Sequence, residues 1–311
     1  MTTAVELDRA AGALLGTACG DALGAGYEFG SAPLPPPGVA TAMIGGGLGG
    51  FAPGEWTDDT AMAVCVAEVA ATGADLRTEA ALDRVAEGFA RWFAGGPADV
   101  GVQTRGVLSA GSATAAGQRR AAAALHRRTG RTAGNGSLMR TAAVALAHLG
   151  DDEALRDAAT AVSELTHSDP LAGEACVLWC IGIDRAVRLG TFDGVREGLA
   201  QLPAGSRDRW AAWLSAAEAA PPDRFAPNGF VVPALQAAWS AVIRTAVPSD
   251  DPEQASFGCL HLQHSLQAAV RAGDDTDTVA AIAGALLGAR WGASAVPARW
   301  RRLLHGWPGL R

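Results

Sequence analysis

Apolar residues recur along this chain at the three- and four-residue spacing of a helix, with no sustained alternation of period two. The spacing predicts helices over residues 6–23, 58–71, 78–93, 121–128, 137–149, 152–165, 171–189, 208–219, 231–247, 252–271 and 276–290. In the first of these, Ala11, Gly12, Gly16 and Gly20 leave room for another helix to approach closely. Between residues 24 and 54 the periodicity collapses into glycine and proline, including Pro35-Pro36-Pro37 and Gly45-Gly46-Gly47. A loop that long is unusual inside a folded domain and points to a lid or binding loop. The remaining breaks are short, residues 221–229 read as a loop, and no internal repeat stands out. The expected organisation is one all-α domain over residues 1–311.

Composition narrows the chemistry. The chain has 311 residues, about half of them apolar, dominated by alanine and glycine, with nine tryptophans. That mix suits close-packed helices better than strands. The formal charge is −7 and every basic residue is arginine. A Schiff-base lysine and a phosphate loop ending in Gly-Lys are therefore excluded, and the acidity argues against broad electrostatic binding to nucleic acid. The five cysteines (Cys19, Cys65, Cys176, Cys180, Cys259) form no Cys-x-x-Cys pair. They read as core residues of a reducing compartment rather than as disulfides or zinc ligands. With no basic-then-apolar leader and no uninterrupted apolar run of membrane-spanning length, a cytoplasmic location away from membranes is expected.

Two acidic clusters change the picture. Thr57-Asp58-Asp59-Thr60 and Asp274-Asp275-Thr276-Asp277-Thr278 each open an apolar helical stretch. Taken alone, the first is accounted for by helix capping. The second packs three carboxylates and two hydroxyls into five residues, more charge than a cap requires. Crowded carboxylates stay ionised at neutral pH only with a cation among them. All the donors are hard oxygens, which suits magnesium, manganese or calcium and not zinc or copper. The EF-hand spacing is absent, so two clusters distant in sequence would have to meet in the fold to form a two-ion site.

Several stretches then resemble a known family. Gly16-Thr17-Ala18-Cys19-Gly20-Asp21-Ala22-Leu23-Gly24, Glu28 and Glu55-Trp56-Thr57-Asp58-Asp59-Thr60-Ala61-Met62 are similar to ADP-ribosylglycohydrolases. The likeness continues through Gly134-Asn135-Gly136-Ser137-Leu138-Met139-Arg140, Thr166-His167-Ser168-Asp169-Pro170, Gly229-Phe230-Val231-Val232, Gly273–Thr278 and the glycines of Gly284–Gly288. The ordered set is specific where any single motif is weak. The resemblance implies a single orthogonal multi-helix bundle holding two divalent cations, Mg or Mn. It makes Thr57, Asp58, Asp59, Asp275, Asp277 and Thr278 the ligands, with Asp274 left outside as a helix cap. It gives Glu28 a place in a loop closing over metals and substrate. Thr132, Ala133, Gly134, Asn135 and Gly136 would wrap the diphosphate and distal ribose, a use that glycine-rich helix starts suit independently. His167 would line the same pocket.

Other residues take plainer readings. Asp21 fixes a helix end by hydrogen bonding, and His261 and His264, three apart without an acidic or cysteine partner, are core or surface histidines. Trp56, beside the first cluster, is a candidate for shaping the pocket.

The expected activity is metal-assisted hydrolysis of the bond to C1 of the distal ribose, releasing ADP-ribose from a modified protein, nucleic acid or small molecule. Glu28, Asp58 and Asp277 are the candidate acid–base groups, and the protein is expected to be monomeric. Two rivals stay open: a binuclear phosphohydrolase cutting the diphosphate, and a non-catalytic binding or structural relative. No residue in the long loop or at Thr132-Ala133 identifies the acceptor.

Overall fold

In the computed structural model, which describes residues 3–311, helix α1 (Ala4–Gly24) starts on a reciprocal cap. Glu6 N–H donates to Thr3 Oγ1 at 3.2 Å and Thr3 N–H donates to Glu6 Oε2 at 2.6 Å, so two of the orphan amides of a helix start are satisfied. Then follow α2 (Asp58–Ala70), α3 (Glu79–Ala94), α4 (Val102–Leu108), α5 (Ala115–Thr129), α6 (Ala142–Ala147) and α7 (Asp152–Glu164). The second half comprises α8 (Pro170–Leu189), α9 (Gly194–Glu197), α10 (Ala204–Ala219), α11 (Val231–Arg244), α12 (Leu260–Val270), α13 (Thr276–Trp291) and α14 (Ala298–Arg301). Among the described residues β pairing is confined to isolated bridges, so the all-α expectation holds.

Most predicted helices match to within a few residues; α5 begins six residues earlier than expected, the short α9 and α14 are not among those predicted, and three further places differ. Residues 137–149 are not one helix: a 3-10 turn over Asn135–Arg140 precedes α6, and Thr141 Oγ1 donates to the Leu138 carbonyl at the break. Residues 252–271 also divide, because Asp251 caps a short turn that ends at Ala255 in a left-handed conformation (φ 51°) before α12 begins. Helix α4, flanked by Gly101 and Gly111 and interrupted in sequence by Gly106, is hidden by its glycines.

One hydrophobic core cluster runs from Ala13 to Leu304. At its centre lies α13, buried continuously from Thr276 to Ala289 and therefore apolar on every side. Helix α8 packs nearby, and Trp179 donates its indole N–H to the Ile282 carbonyl at 2.9 Å.

Helices α1 and α13 run antiparallel in backbone contact. Gly12 faces Gly288, Gly16 faces Gly284, Gly20 faces Ala280 and Gly24 faces Asp277. A Cβ at Gly12, Gly16 or Gly20 would sit on the opposing carbonyl oxygen, inside van der Waals contact. These glycines trade helix propensity, about 1 kcal/mol each against alanine, for an approach that no side chain permits. In return, the first and last long helices meet end to end, bringing residues 21–28 beside residues 275–277.

Gly16→Leu should therefore lower unfolding stability by about 3 kcal/mol, the upper end of overpacking costs. Gly205→Ala, in α10 with open space around it, should be neutral or slightly stabilising. Urea titration followed by circular dichroism separates the two; equal effects would remove the case for this contact.

Candidate active site

The start of α2 is set from α1. Asp21, fully buried, accepts from Thr57 N–H at 2.9 and 3.1 Å, from Thr60 N–H at 3.0 Å and from Thr60 Oγ1 at 2.6 Å. The helix end it secures is thus that of α2, not its own. With Thr57 as N-cap, Asp59 turns inward, and Oδ2 accepts from Thr57 Oγ1 at 3.0 Å and from Thr278 Oγ1 of α13 at 3.4 Å. Asp59 Oδ1 is buried with no partner.

The start of α13 is set by two asparagines. Asn228 Oδ1 accepts from Asp275 N–H at 3.0 Å, and Asn135 Nδ2 donates to Asp275 Oδ2 at 2.7 Å and to the Asn228 carbonyl at 3.1 Å. Asp274 does not cap the helix with its side chain. It takes a left-handed conformation (φ 56°), and its carbonyl accepts from Phe29 N–H at 2.7 Å. That bond ties the turn over Ala25–Gly30, which carries Glu28, to the α13 start. Glu28 is 6 % exposed and its Oε2 has no partner.

Folding thus brings five carboxylates from four segments together. Oxygens of Asp21, Asp59 and Asp277 lie within 4.8 Å of one another, as do those of Glu28, Asp275 and Asp277. Asp21 spends its oxygens on four hydrogen bonds to α2, so it supports the cluster rather than offering a free donor. Asp58 stands apart, accepting from Gly101 N–H at 3.2 Å and facing a cavity.

Burial raises every one of these acids, and neighbouring carboxylates add to it at Glu28, Asp58, Asp59 and Asp277. Glu28 is pushed up to about 8 by burial and by Asp275, Asp99, Asp58 and Asp21. Asp58 reaches about 7 through burial, then Asp99, and Asp21 about 6 through burial against its hydrogen bonds. Asp59 and Asp277 are driven well up by burial first and then by neighbouring carboxylates. Unpartnered buried oxygens on Glu28 and Asp59, inside an oxygen-only crowd of negative charge, fit a divalent cation.

The carboxylates open into a cavity of about 480 Å³. The glycine-rich turn adjoins them: Thr132, Gly134, Asn135 and Gly136 line the cavity, while Ala133 does not, its carbonyl accepting from Val231 N–H at 2.8 Å. The Gly134 and Asn135 amides are already used, donating to Gln103 Oε1 and the Gly229 carbonyl at 3.3 Å each. The His167 ring sits behind the turn, and a Cβ at Gly134 or Gly136 would press on it at 3.3 Å. Burial, then Arg140, holds this imidazole well below its ordinary range, so it is neutral.

Three lining or supporting residues, Asp99, Phe230 and Asn228, were not among the site residues expected from sequence. Asp99, in the loop before α4, lines the cavity with Glu28 and Asp58 and adds to the charge that raises both; a lone acid among glycines carries no sequence signal. Phe230 is 44 % exposed at the mouth, with the Arg131 guanidinium 5.9 Å from its ring centre. Asn228 lies buried in the segment read as a plain loop, where its neighbour Gly229 and the following apolar helix start were the available hint. Trp56, conversely, does not line the cavity; its indole N–H donates to the Trp307 carbonyl at 3.1 Å. His261 is a core histidine, its Nδ1 accepting from the Trp291 indole at 3.1 Å.

Residues 1–311 match the sequence profile of the family ADP-ribosylglycohydrolase. The chain belongs to the ADP-ribosylglycohydrolase family. It is 31% identical over 312 residues to an ADP-ribosylarginine hydrolase of Pseudomonas putida (strain GB-1), covering 96% of this chain and 75% of that protein. It is 30% identical over 301 residues to the ADP-ribosyl-[dinitrogen reductase] glycohydrolase of Rhodospirillum rubrum, covering 94% and 89%. A solved structure described as an ADP-ribosylglycohydrolase-related protein complex superposes with a TM-score of 0.65 at 29% identity, over 96% of this chain and 93% of that one. This ADP-ribosylglycohydrolase is therefore a hydrolase of ADP-ribose linkages with the fold of its family. Among its described residues no helix is long and apolar enough to cross a membrane.

The raised acids set a pH dependence for the ADP-ribosylglycohydrolase without added metal. Their folded values (about 6 to 8 for Asp21, Asp58 and Glu28) exceed the unfolded ones near 4, so the native state holds protons that the unfolded chain has lost. Stability should be full below about pH 4 on this account and fall as pH rises toward 8. In EDTA the melting temperature should drop between pH 5 and 8, and millimolar Mg or Mn should restore it at pH 8. A melting temperature flat with pH and unmoved by either ion would contradict the cation fit.

Proposed function

We propose that this ADP-ribosylglycohydrolase hydrolyses the bond between C1 of the distal ribose of ADP-ribose and the guanidinium of a modified arginine. One observation carries the reading: the unpartnered Glu28 and Asp59 oxygens sit in a carboxylate cluster beside a cavity that the glycine turn lines and that has Phe230 at its mouth. That layout suits a ligand with a ribose diol at one end and a purine at the other.

Thr57, Asp58, Asp59, Asp275, Asp277 and Thr278 are the residues that would hold two divalent cations, Mg or Mn, with Glu28 beside them. When bound, such ions supply positive charge that offsets the carboxylates and polarises ribose hydroxyls and water. The remaining roles belong to the protein. Asp21, Asn135 and Asn228 orient the acids, and Glu28 holds or takes up a proton at its free Oε2. Phe230 offers a face for the adenine, and the turn from Thr132 to Gly136 with His167 bounds the diphosphate and ribose. With such cations bound, Asp58 and Asp277 would keep negative charge beside the site where oxocarbenium character develops.

The arginine acceptor rests on Asp99 and on the relatives. Asp99 with Asp58 gives the cavity an anionic side suited to a planar cation. One relative is named for ADP-ribosylarginine and another for ADP-ribosyl-dinitrogen reductase.

An arginine-linked ADP-ribosyl peptide incubated with the protein and Mg or Mn should yield intact ADP-ribose and unmodified arginine. AMP as product, or no turnover with either ion, would overturn the reading. Asp58→Ala and Asp277→Ala should each lower kcat/KM by at least about a hundredfold with helix content retained by circular dichroism. Asp99→Ala should raise KM for the arginine-linked substrate by about tenfold and leave a serine-linked one unchanged; an equal loss on both would reject Asp99 as the acceptor's contact.

A further inference from the structure

The motif from Gly134 to Arg140 ends on an arginine that the proposed chemistry leaves without a role. Arg140 is fully buried, with its guanidinium 4.5 Å from the centre of the Phe89 ring. Its hydrogen-bond partners are uncharged: Met62 Sδ at 3.7 Å, the Val162 carbonyl at 3.2 Å and Thr166 Oγ1 at 2.8 Å. Its Nε has no partner. A buried guanidinium without a carboxylate costs stability that an apolar side chain would not.

The hydrogens can be followed outward from it. Arginine has donors only, so Thr166 Oγ1 accepts from Arg140 Nη2. The Val162 carbonyl already accepts from the same nitrogen. The acceptor in reach of the Thr166 hydroxyl proton is then His167 Nδ1, 2.7 Å away. A neutral imidazole that accepts at Nδ1 carries its proton on Nε2. Nε2 is the ring atom beside Gly134 and Gly136, on the side of the cavity that His167 lines.

We propose that Arg140, acting through Thr166, fixes His167 as the Nε2–H tautomer, so that the ring donates a hydrogen bond to an acceptor oxygen of bound ADP-ribose. Arg140 and Thr166 are positioning residues, and His167 is the contact. A donor-only atom at that place favours phosphate or ribose oxygens and disfavours ligand groups that present a proton. Burial beside a positive charge keeps the ring neutral, so the tautomer is not overwritten by protonation. The ligand contact rests on the ADP-ribose reading above; the tautomer does not.

The test is nitrogen NMR of the full chain labelled with 15N-histidine, with the His167 signals assigned by their loss in His167→Gln. The wild type should show Nε2 protonated and Nδ1 bare. Thr166→Val should mix the tautomers and weaken ADP-ribose affinity about tenfold by calorimetry, and Thr166→Ser should restore both. A wild-type Nδ1–H tautomer, or a Thr166→Val protein unchanged in both tautomer and affinity, would overturn the proposal. If Thr166→Val does not fold, the wild-type tautomer alone decides. If the wild type shows Nε2–H but binds no ADP-ribose, the relay stands and the substrate reading falls.

Discussion

The site depends on how closely α1 and α13 approach. Two helices that meet through ordinary side chains stand 8–10 Å apart, and acids at their ends would then face each other across packed side chains. Here four glycines of α1 and two of α13 remove that spacing. The Thr276 hydroxyl donates to the Gly24 carbonyl at 2.8 Å, and the Asp274 carbonyl accepts from Phe29. Position 28 is thereby held against positions 275 and 277. Asp21, one turn earlier on α1, reaches sideways to secure the start of α2 with its two further acids. One backbone contact therefore registers three acidic segments.

That register concentrates negative charge at acids that form no ion pair with an arginine among the described residues. Asp59, Asp275 and Asp277 are buried, and the basic side chain lining the cavity, Arg131, is at its mouth against Phe230. The protein relieves part of the repulsion with neutral donors: Thr57 and Thr278 to Asp59, Asn135 to Asp275, and Gly101 to Asp58. Hydrogen bonds of this kind orient a carboxylate without cancelling its charge. The unpartnered oxygens of Glu28 and Asp59 are what remain, and both are buried away from water. Asp21, which is saturated, thus serves structural hydrogen bonding, while its neighbours keep oxygens that the proposed cations would use.

The cavity continues the same logic on its other wall. The glycine turn keeps its first amides for Gln103 and Gly229, so its shape is set before any ligand arrives. Asn135 faces both ways, lining the cavity while orienting Asp275. Rigid support behind a binding surface lowers the ordering cost of binding.

Much was legible in the sequence, because local rules are written locally. Helical periodicity located most of the helices, and the small residues at 12, 16 and 20 announced a close helix contact without naming its partner. The pairing of Thr57–Thr60 with Asp274–Thr278 followed from charge chemistry, since that many ionised oxygens need a cation. The family likeness supplied an ordered set of residues, and the structure brings most of these around one cavity. What sequence could not decide was direction and neighbourhood. Whether Asp274 caps α13 or bends its backbone to reach Phe29 depends on a turn 245 residues away in sequence (274 − 29). Trp56 sits next to the acids in sequence yet points toward Trp307, while Asp99, with no motif of its own, and Phe230, read only as part of a family-like stretch, stand at the cavity. Periodicity and charge are properties of neighbouring residues in the chain; the side a carboxylate faces and the hydrogens it accepts are set by segments that only folding brings within 3 Å.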